Sequence, residues 1–272
     1  MKLNILAILA FRNEERYLFQ TLPKLAEDGI NLAVINNDSS DRSEDALAMY
    51  QDMGGRILHY YRQSFSGFFN LSEQLAIKRQ IYNQSYADWV IHIDADEILE
   101  SSIENETLRD AIERADSDGY EAINFNEFVF VPTVEEPNHD SSTFLNTMTR
   151  YYFFEPSKQR LLRAWKTGRG IIQSGGGHKL IREDKSRPIL IYPRDLQLRH
   201  YIVLSQEHAN SKYSQRRFHP VDIEKGWHGN RIGLPLFVQL PRCSELECTQ
   251  GRNKKALHMA NPKTLHFWQW HN

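Results

Sequence analysis

The stretch Trp89-Val90-Ile91-His92-Ile93-Asp94-Ala95-Asp96-Glu97-Ile98-Leu99 decides how this chain is to be read. Its first half is an apolar run of the kind that forms a buried strand, and the run stops at three carboxylates. A bare carboxylate is costly to bury, so carboxylates that close a core strand need a partner. In an open α/β sheet the carboxyl ends of the strands are where ligands sit. Asp94 and Asp96 are two residues apart, so on an extended backbone both side chains point the same way. Two such oxygen donors suit a hard divalent cation that keeps its waters and also grips a substrate phosphate. The bland alternative is an acidic turn that caps the next helix.

Outward from that stretch, composition sets the frame. The chain has 272 residues, 25% charged and 40% hydrophobic, which fits a globular protein of one large domain or one domain with appendages. A formal net charge of −2 gives no reason to expect nucleic acid as a partner. Cys243 and Cys248 are a lone pair near the C-terminus, with no second Cys or His pair to complete a zinc site, so reduced thiols are expected. No apolar run approaches the ~20 residues of a membrane span. Met1 to Phe11 imitates a signal peptide, but it passes into Arg12-Asn13-Glu14-Glu15-Arg16 without a small-residue cleavage site. A first strand and a cytoplasmic location are the expectation.

The first hundred residues alternate strand and helix signals, which argues for a parallel sheet with crossover helices. Leu3 to Ala10, Leu32 to Asn36, Arg56 to Tyr61 and Trp89 to Asp94 read as strands. Glu14 to Glu27, Ser43 to Asp52 and Asn70 to Gln84 read as helices, with a kink or restart expected at Pro23. Beyond residue 100 the pattern loosens. A helix is expected over Asn105 to Ala115 and a strand over Ala122 to Val131. Pro132 to Thr147 reads as a polar insertion or mobile loop. Arg160 to Lys166, Lys179 to Arg182, Ile189 to Tyr192 and Leu196 to Tyr201 are short strand candidates. Ser205 to Phe218 reads as a helix with Ser205 at its N-cap.

Three pieces then stand in order. Ala10-Phe11-Arg12-Asn13-Glu14-Glu15 follows the first strand, Asn36-Asn37-Asp38-Ser39-Ser40-Asp41 the second, and Ile93-Asp94-Ala95-Asp96-Glu97 the fourth. Together they resemble the nucleotide-sugar-binding half of family 2 glycosyltransferases with the GT-A fold. Leu198-Arg199-His200-Tyr201, followed by Ser205, Glu207, Lys212 and Arg216-Arg217, resembles the C-terminal signature of a bacterial subgroup acting on surface polysaccharide or lipopolysaccharide. The resemblance covers about residues 3 to 218. It implies an α/β fold with a mainly parallel central sheet and helices on both faces. It further implies a GT-A domain over 1–218, with 219–272 as a small extension packed on it.

The same resemblance implies a metal-dependent, inverting transfer of a sugar from a nucleoside diphosphate to a glycan or glycolipid, with peripheral membrane association as a corollary. Mn²⁺ or Mg²⁺ would stabilise charge on the departing diphosphate. Asp96 is the expected metal ligand, with Asp94 on the metal through water or on the ribose. Glu97 either orients the site or caps the next element. Phe11, Arg12, Asn13, Glu14, Asn36 and Asp41 are expected around the nucleoside, and Arg163 and Lys212 on the diphosphate. Many family members carry Asp where Asn36 stands; an amide both donates and accepts, which leaves the base open. His178, after Gly175-Gly176-Gly177, is a candidate third metal ligand, with His200 as the alternative; His92 reads as a satisfied core histidine. Glu127 is the expected catalytic base, with Glu135 and Asp195 as alternatives. Gly226-Trp227-His228-Gly229-Asn230-Arg231 suits a sugar acceptor, the outer wall of the donor pocket or a packed tail.

Other functions fit less well. A nucleotidyltransferase on a related sheet would place a glycine-rich loop after the first strand, where Phe11-Arg12-Asn13-Glu14 stands. A haloacid-dehalogenase-type phosphatase would carry its paired aspartates on the first strand rather than the fourth. A degenerate, sugar-binding transferase-like domain has the intact Asp94 and Asp96 against it.

Overall fold

The computed structural model describes residues 2–214, 216–229, 238–249 and 256–270. Strands β1 (Ile5–Phe11), β2 (Asn31–Asn36), β3 (Ile57–Arg62) and β4 (Trp89–Ile93) alternate with helices α1 (Glu15–Glu27), α2 (Ser43–Asp52) and α3 (Leu71–Gln84). The four strands are parallel, in the order β4-β1-β2-β3. Strands buried on both faces read as unbroken apolar runs, and β1, β2 and β4 do so. Leu18, Leu22 and Leu25 of α1 and Ala46, Leu47 and Tyr50 of α2 pack on one face of this half-sheet. Ile81 and Tyr82 of α3 pack on the other. The α/β architecture with helices on both faces is the one expected from the sequence.

The second half is built differently. β5 (Glu97–Glu100), α4 (Leu108–Ser117), β6 (Ala122–Phe130), the short α5 (Phe144–Thr147), β7 (Arg150–Phe154), β8 (Leu162–Lys166), β9 (Ile171–Ser174), β10 (Lys179–Arg182), β11 (Leu196–Tyr201), α6 (Gln206–Ser214), α7 (Pro220–Glu224) and β12 (Glu247–Cys248) follow in turn. β8 joins β4 antiparallel and carries the sheet on to β6. The end of β6 then pairs with β7 on one side and, parallel, with β11 on the other. The described parts of 219–272 share a core with this half: Val238, Leu240, Leu246, Phe267 and Trp268 cluster with Val129, Tyr152 and Phe154.

Several local expectations change. α1 runs unbroken through Pro23. The helix expected from Asn105 starts at Leu108, because Thr107 and Asp110 form a capping box there. Ile189 to Tyr192 is no strand; Ile191 makes one isolated bridge to Ala122. The helix expected to reach Phe218 ends at Ser214, while Ser205 Oγ caps its start by accepting from His208 N at 3.0 Å. The polar insertion at 132–147 is pinned by Phe144, which is fully buried against Tyr17 and Tyr201.

One long-range clamp fixes α3. Asn70 caps its first turn, and the fully buried Asp222 accepts from Leu71 N at 2.7 Å and Ser72 N at 3.1 Å. A carboxylate at a helix N-terminus satisfies orphan donors and meets the positive end of the helix dipole. Asp222→Ala should therefore destabilise the fold by about 1–2 kcal/mol. Urea unfolding checks this, and an unchanged midpoint would mean the clamp contributes nothing.

Candidate active site

A cavity of about 920 Å³ opens where the parallel strands end, lined by Phe11, Arg12 and Asn13 after β1 and by Asp94 and Asp96 after β4. Its far walls come from β6, β8, β11 and α6, which bring Glu127, Arg163, His200 and Lys212. Eight Lys and Arg side chains and five carboxylates line it, so its field favours an anion.

Glu97 and Glu127 are buried and Asp94 and Asp96 are partly buried, each beside its counter-charges. β4 stops at Ile93, and Asp94 to Glu97 form a turn in which Glu97 N donates to Asp94 O at 3.2 Å. Glu97 returns a carboxylate oxygen to Asp94 N at 3.0 Å. Asp94 and Asp96 are therefore not on one extended face as expected; the turn sends them to different partners. Asp94 meets Arg163 at 3.3 Å and Lys78 at 3.9 Å. Asp96 meets Lys212 at 2.7 Å and His200 at 3.4 Å. Burial pushes both carboxyls up, but Arg163 for Asp94 and Lys212 for Asp96 hold them well below the usual range. Glu97 takes Arg163 at 2.6 Å and orients that cation; a strand, β5, follows it rather than a helix to cap.

Glu127 lies farther along the same network. One oxygen accepts from His200 Nδ1 at 2.7 Å, and the other pairs with the Arg160 guanidinium. Burial opposes its charge, yet Arg160 and His200 keep it well below the usual carboxylate range. His200, between two carboxylates, is raised to about 10 by Asp96 and Glu127 despite its burial. Glu14 also lines the cavity; desolvation raises it to about 7, with Lys212 opposing. Glu135 and Asp195, the alternative bases, lie outside the lining. Glu135 instead accepts from Cys243 N at 2.9 Å.

His178 lines the cavity on a turn that only glycine can form. Gly175, Gly176 and Gly177 take φ of 57°, 69° and 89°, and a Cβ on Gly177 would sit 2.8 Å from His92 Cε1. The structure does not bring His178 to Asp94 and Asp96. Among the described residues no three His, Cys, Asp or Glu side chains gather as a metal group. Burial, with Arg163 and Arg160 close by, drives His178 well below its ordinary value, so it is a neutral ring among cations. His92 is a satisfied core histidine: Lys78 donates to Nε2 at 2.9 Å and Nδ1 lies 2.6 Å from the Gln173 amide. Burial, then Lys78, lowers it to about 3.

Two expected nucleoside contacts are absent from the cavity. Asn36 spends its amide nitrogen on Glu44 at 2.5 Å and Tyr60 at 3.1 Å, and its oxygen on Ser39 N at 2.8 Å. Asp41 accepts from Glu15 N and Ser43 N, tying the β2 loop to α1. Asn37 lines the cavity instead, and Arg12 stacks 3.6 Å from the Phe65 ring centre while donating to Asn37 O at 2.8 Å. Trp227 and His228 also line it; Asn230 and Arg231 lie outside the described residues. The insertion at 132–147 does not. Sequence reading missed Lys78, Arg160 and His266. Lys78 had a signal, since with Leu71 and Leu75 it completes an i, i+4, i+7 face on α3. Arg160 and His266 had none, because their partners are far away in sequence.

No family model matches the chain, and no curated protein matches it. Among solved structures, S. aureus TarS is similar over 78% of this chain and 38% of its own, with 14% identity and a TM-score of 0.42. TarS 1–349 in complex with UDP gives the same identity and TM-score, and the chain spans 63% of it. The mannosyltransferase PcManGT from Pyrobaculum calidifontis, in complex with GDP-Man and Mn²⁺, is similar over 46% of this chain and 36% of its own, at 16% identity and a TM-score of 0.36.

The two histidines make opposite pH predictions. His200, raised from 6.5 to about 10, lends stability that is complete below pH 6.5 and disappears as pH rises through about 10. His92, lowered from 6.5 to about 3, lends stability above pH 6.5 that disappears as pH falls towards 3. Imidazole ¹⁵N spectra at pH near ~7.5, well above the ordinary histidine value, should find His200 doubly protonated and His92 neutral. A neutral His200 there would contradict the network.

Proposed function

We propose that this chain is a metal-dependent, inverting glycosyltransferase that moves a sugar from a nucleoside diphosphate to a glycan or glycolipid acceptor. One observation carries the reading. At the carboxyl ends of parallel strands, paired aspartates face a cavity whose remaining cations await an anion. Among the described residues Arg16, Arg216 and Arg217 line the cavity with no carboxylate partner.

Arg12, stacked on Phe65, and Asn13 hold the nucleoside end. Asn37 commits its amide nitrogen to the Gln63 and Ser64 carbonyls, at 3.1 Å and 3.4 Å, which leaves its oxygen to accept from a base N–H. Lys212 and Arg216 receive the diphosphate. Charge-assisted contacts of this kind act where charge grows in the transition state.

The donor set suits a hard cation. Asp96 binds its partners through one oxygen, Oδ2, and Asp94 is 45% exposed with contacts no shorter than 3.3 Å. A Mg²⁺-type site takes one or two protein carboxylates and completes its shell from waters and substrate phosphates. Asp94 and Asp96 would hold Mn²⁺ or Mg²⁺, which supplies Lewis-acid stabilisation of the leaving group. His178, a neutral ring in the cavity wall near Arg160 and Arg163, is assigned to the sugar rather than to the cation.

Glu127 accepts the proton of the acceptor hydroxyl. Arg160 and His200 hold it as the carboxylate, and His200 ties it to Asp96 at a fixed distance. A cytoplasmic setting fits the unbridged Cys243 and Cys248. Among the described residues no helix is long and apolar enough to cross a membrane. Exposed Phe68, with Arg217 in the cavity wall, suits a lipid-linked acceptor met at a membrane face.

Calorimetry with UDP and GDP, with and without Mn²⁺, tests the reading. Lys212→Ala should weaken nucleoside diphosphate binding about 10–100-fold, the value of one charge-assisted hydrogen bond. Asp96→Ala should remove the Mn²⁺ dependence. No binding of either nucleotide at millimolar concentration would refute the function. With a donor in hand, Glu127→Gln should cut turnover about 10²–10⁴-fold at unchanged nucleotide affinity.

A further inference from the structure

We infer that residues 256–270 are part of the catalytic wall: a ring stack running from Trp268 to Phe154 holds the Arg160 guanidinium on Glu127, and His266 is the positioning residue at its centre. The inference rests on the glycosyltransferase reading, in which Glu127 is the acceptor-side carboxylate.

The chain returns to the sheet to build this stack. Lys263 N donates to Phe153 O at 2.8 Å and Glu155 N donates to Lys263 O at 2.9 Å, a parallel bridge on the edge of β7. Three residues later the His266 ring lies 4.0 Å from Phe154, tilted 23°, and 4.5 Å from Trp268, tilted 21°. Trp268 in turn meets Tyr213 of α6 at 4.6 Å. His266 Nδ1 is 3.0 Å from the Tyr152 hydroxyl, which fixes the plane of the imidazole. The Arg160 guanidinium carbon sits 4.8 Å from the Phe154 ring centre. Phe154, Arg160, Glu127, Tyr213 and His266 all face the cavity.

Arg160 needs this support. It stands in the connection between β7 and β8, outside regular structure, and its Nε is buried without a hydrogen-bond partner. A long side chain loses rotamer freedom when it is held in one geometry. A guanidinium seated on an aromatic face is already oriented, so less is lost when its fork meets a carboxylate. Without the ring beneath it, Arg160 would let Glu127 turn on its remaining bond to His200.

The test compares His266→Leu, which keeps side-chain bulk but no ring, with His266→Phe, which keeps the ring but not the bond to Tyr152. The Arg160 ε-NH signal in ¹⁵N spectra, assigned through Arg160→Lys, reports the clasp whether or not a substrate is known. Turnover is read as nucleoside diphosphate released from UDP-glucose, UDP-N-acetylglucosamine and GDP-mannose. The ε-NH signal should broaden away in His266→Leu and persist in His266→Phe. The leucine variant should lose at least tenfold in kcat with KM for the nucleotide sugar unchanged, and phenylalanine should restore it. If His266→Leu does not fold, Phe154→Leu, which removes the ring beneath Arg160, must broaden the ε-NH signal and cost at least tenfold in kcat at unchanged UDP or GDP affinity; an unaltered signal there overturns the inference. An Arg160 signal unaltered in His266→Leu, or equal turnover in all variants, overturns the inference. Failure of the wild type to bind UDP or GDP overturns the glycosyltransferase reading instead, while the ε-NH response would still be seen.

Discussion

Four carboxylates, Asp94, Asp96, Glu97 and Glu127, sit together at one end of the sheet, and the rest of the structure is arranged around neutralising them. Removing one partner of a buried pair costs about 3–5 kcal/mol, because the other charge is left stranded. Each cation comes from a different element. Lys78 is on α3, Arg163 on β8, His200 on β11, Lys212 on α6, and Arg160 in the connection before β8. The site can therefore form only when both halves of the sheet are in place. This explains why β8 bridges β4 to β6, and why α3 is anchored at its first turn by the distant Asp222.

The parallel half was legible in the sequence because its signals are local. Apolar runs of strand length, acidic first turns and the Asp28-Gly29 and Gly54-Gly55 stops need no knowledge of the fold. The two errors at the ligand edge share one physical cause. On a strand, a step of one residue turns a side chain to the opposite face. Asn36, the last residue of β2, turns towards Glu44 and Tyr60, while Asn37 turns into the cavity. The spacing of Asp94 and Asp96 puts them on one face only if β4 stays extended through them, but the chain turns between Asp94 and Glu97 directly after Ile93.

What was not legible is long-range. Arg160 and His266 are separated by more than a hundred residues, and both act near Glu127, which belongs to neither neighbourhood. No periodicity marks the segment from 256 to 270, since its rings pack on one another and on β7 rather than along a helix face. That His178 stands apart from the aspartates among the described residues has a related cause. The glycine turn does deliver the ring to the cavity, but among Arg160 and Arg163, and those arginines were placed by strand pairing that the sequence does not reveal.

The same charge arrangement bears on how a ligand would enter. A diphosphate arriving in an unpaired cationic pocket would find strong attraction, but the empty pocket would have to bury like charges. Here Lys212 already rests on Asp96 and on the Ile202 carbonyl at 2.8 Å, so the ligand-free fold carries little unbalanced charge at its centre. Of the three arginines without a carboxylate partner, Arg16 and Arg217 are exposed and Arg216 is half-buried, so most of this charge lies where water screens it and where an anion first makes contact. In the glycosyltransferase reading, Lys212 would change partner from Asp96 to a phosphate oxygen, and Asp96, still held by His200 through Oδ2, would turn the charge so released to a hard cation entering with the nucleotide. Each charge is paired before and after the exchange. Such an exchange avoids a stage with a bare buried ion, which is the costly alternative in a low-dielectric site. It also makes nucleotide and cation bind better together than either does alone, because each supplies the partner that the other displaces.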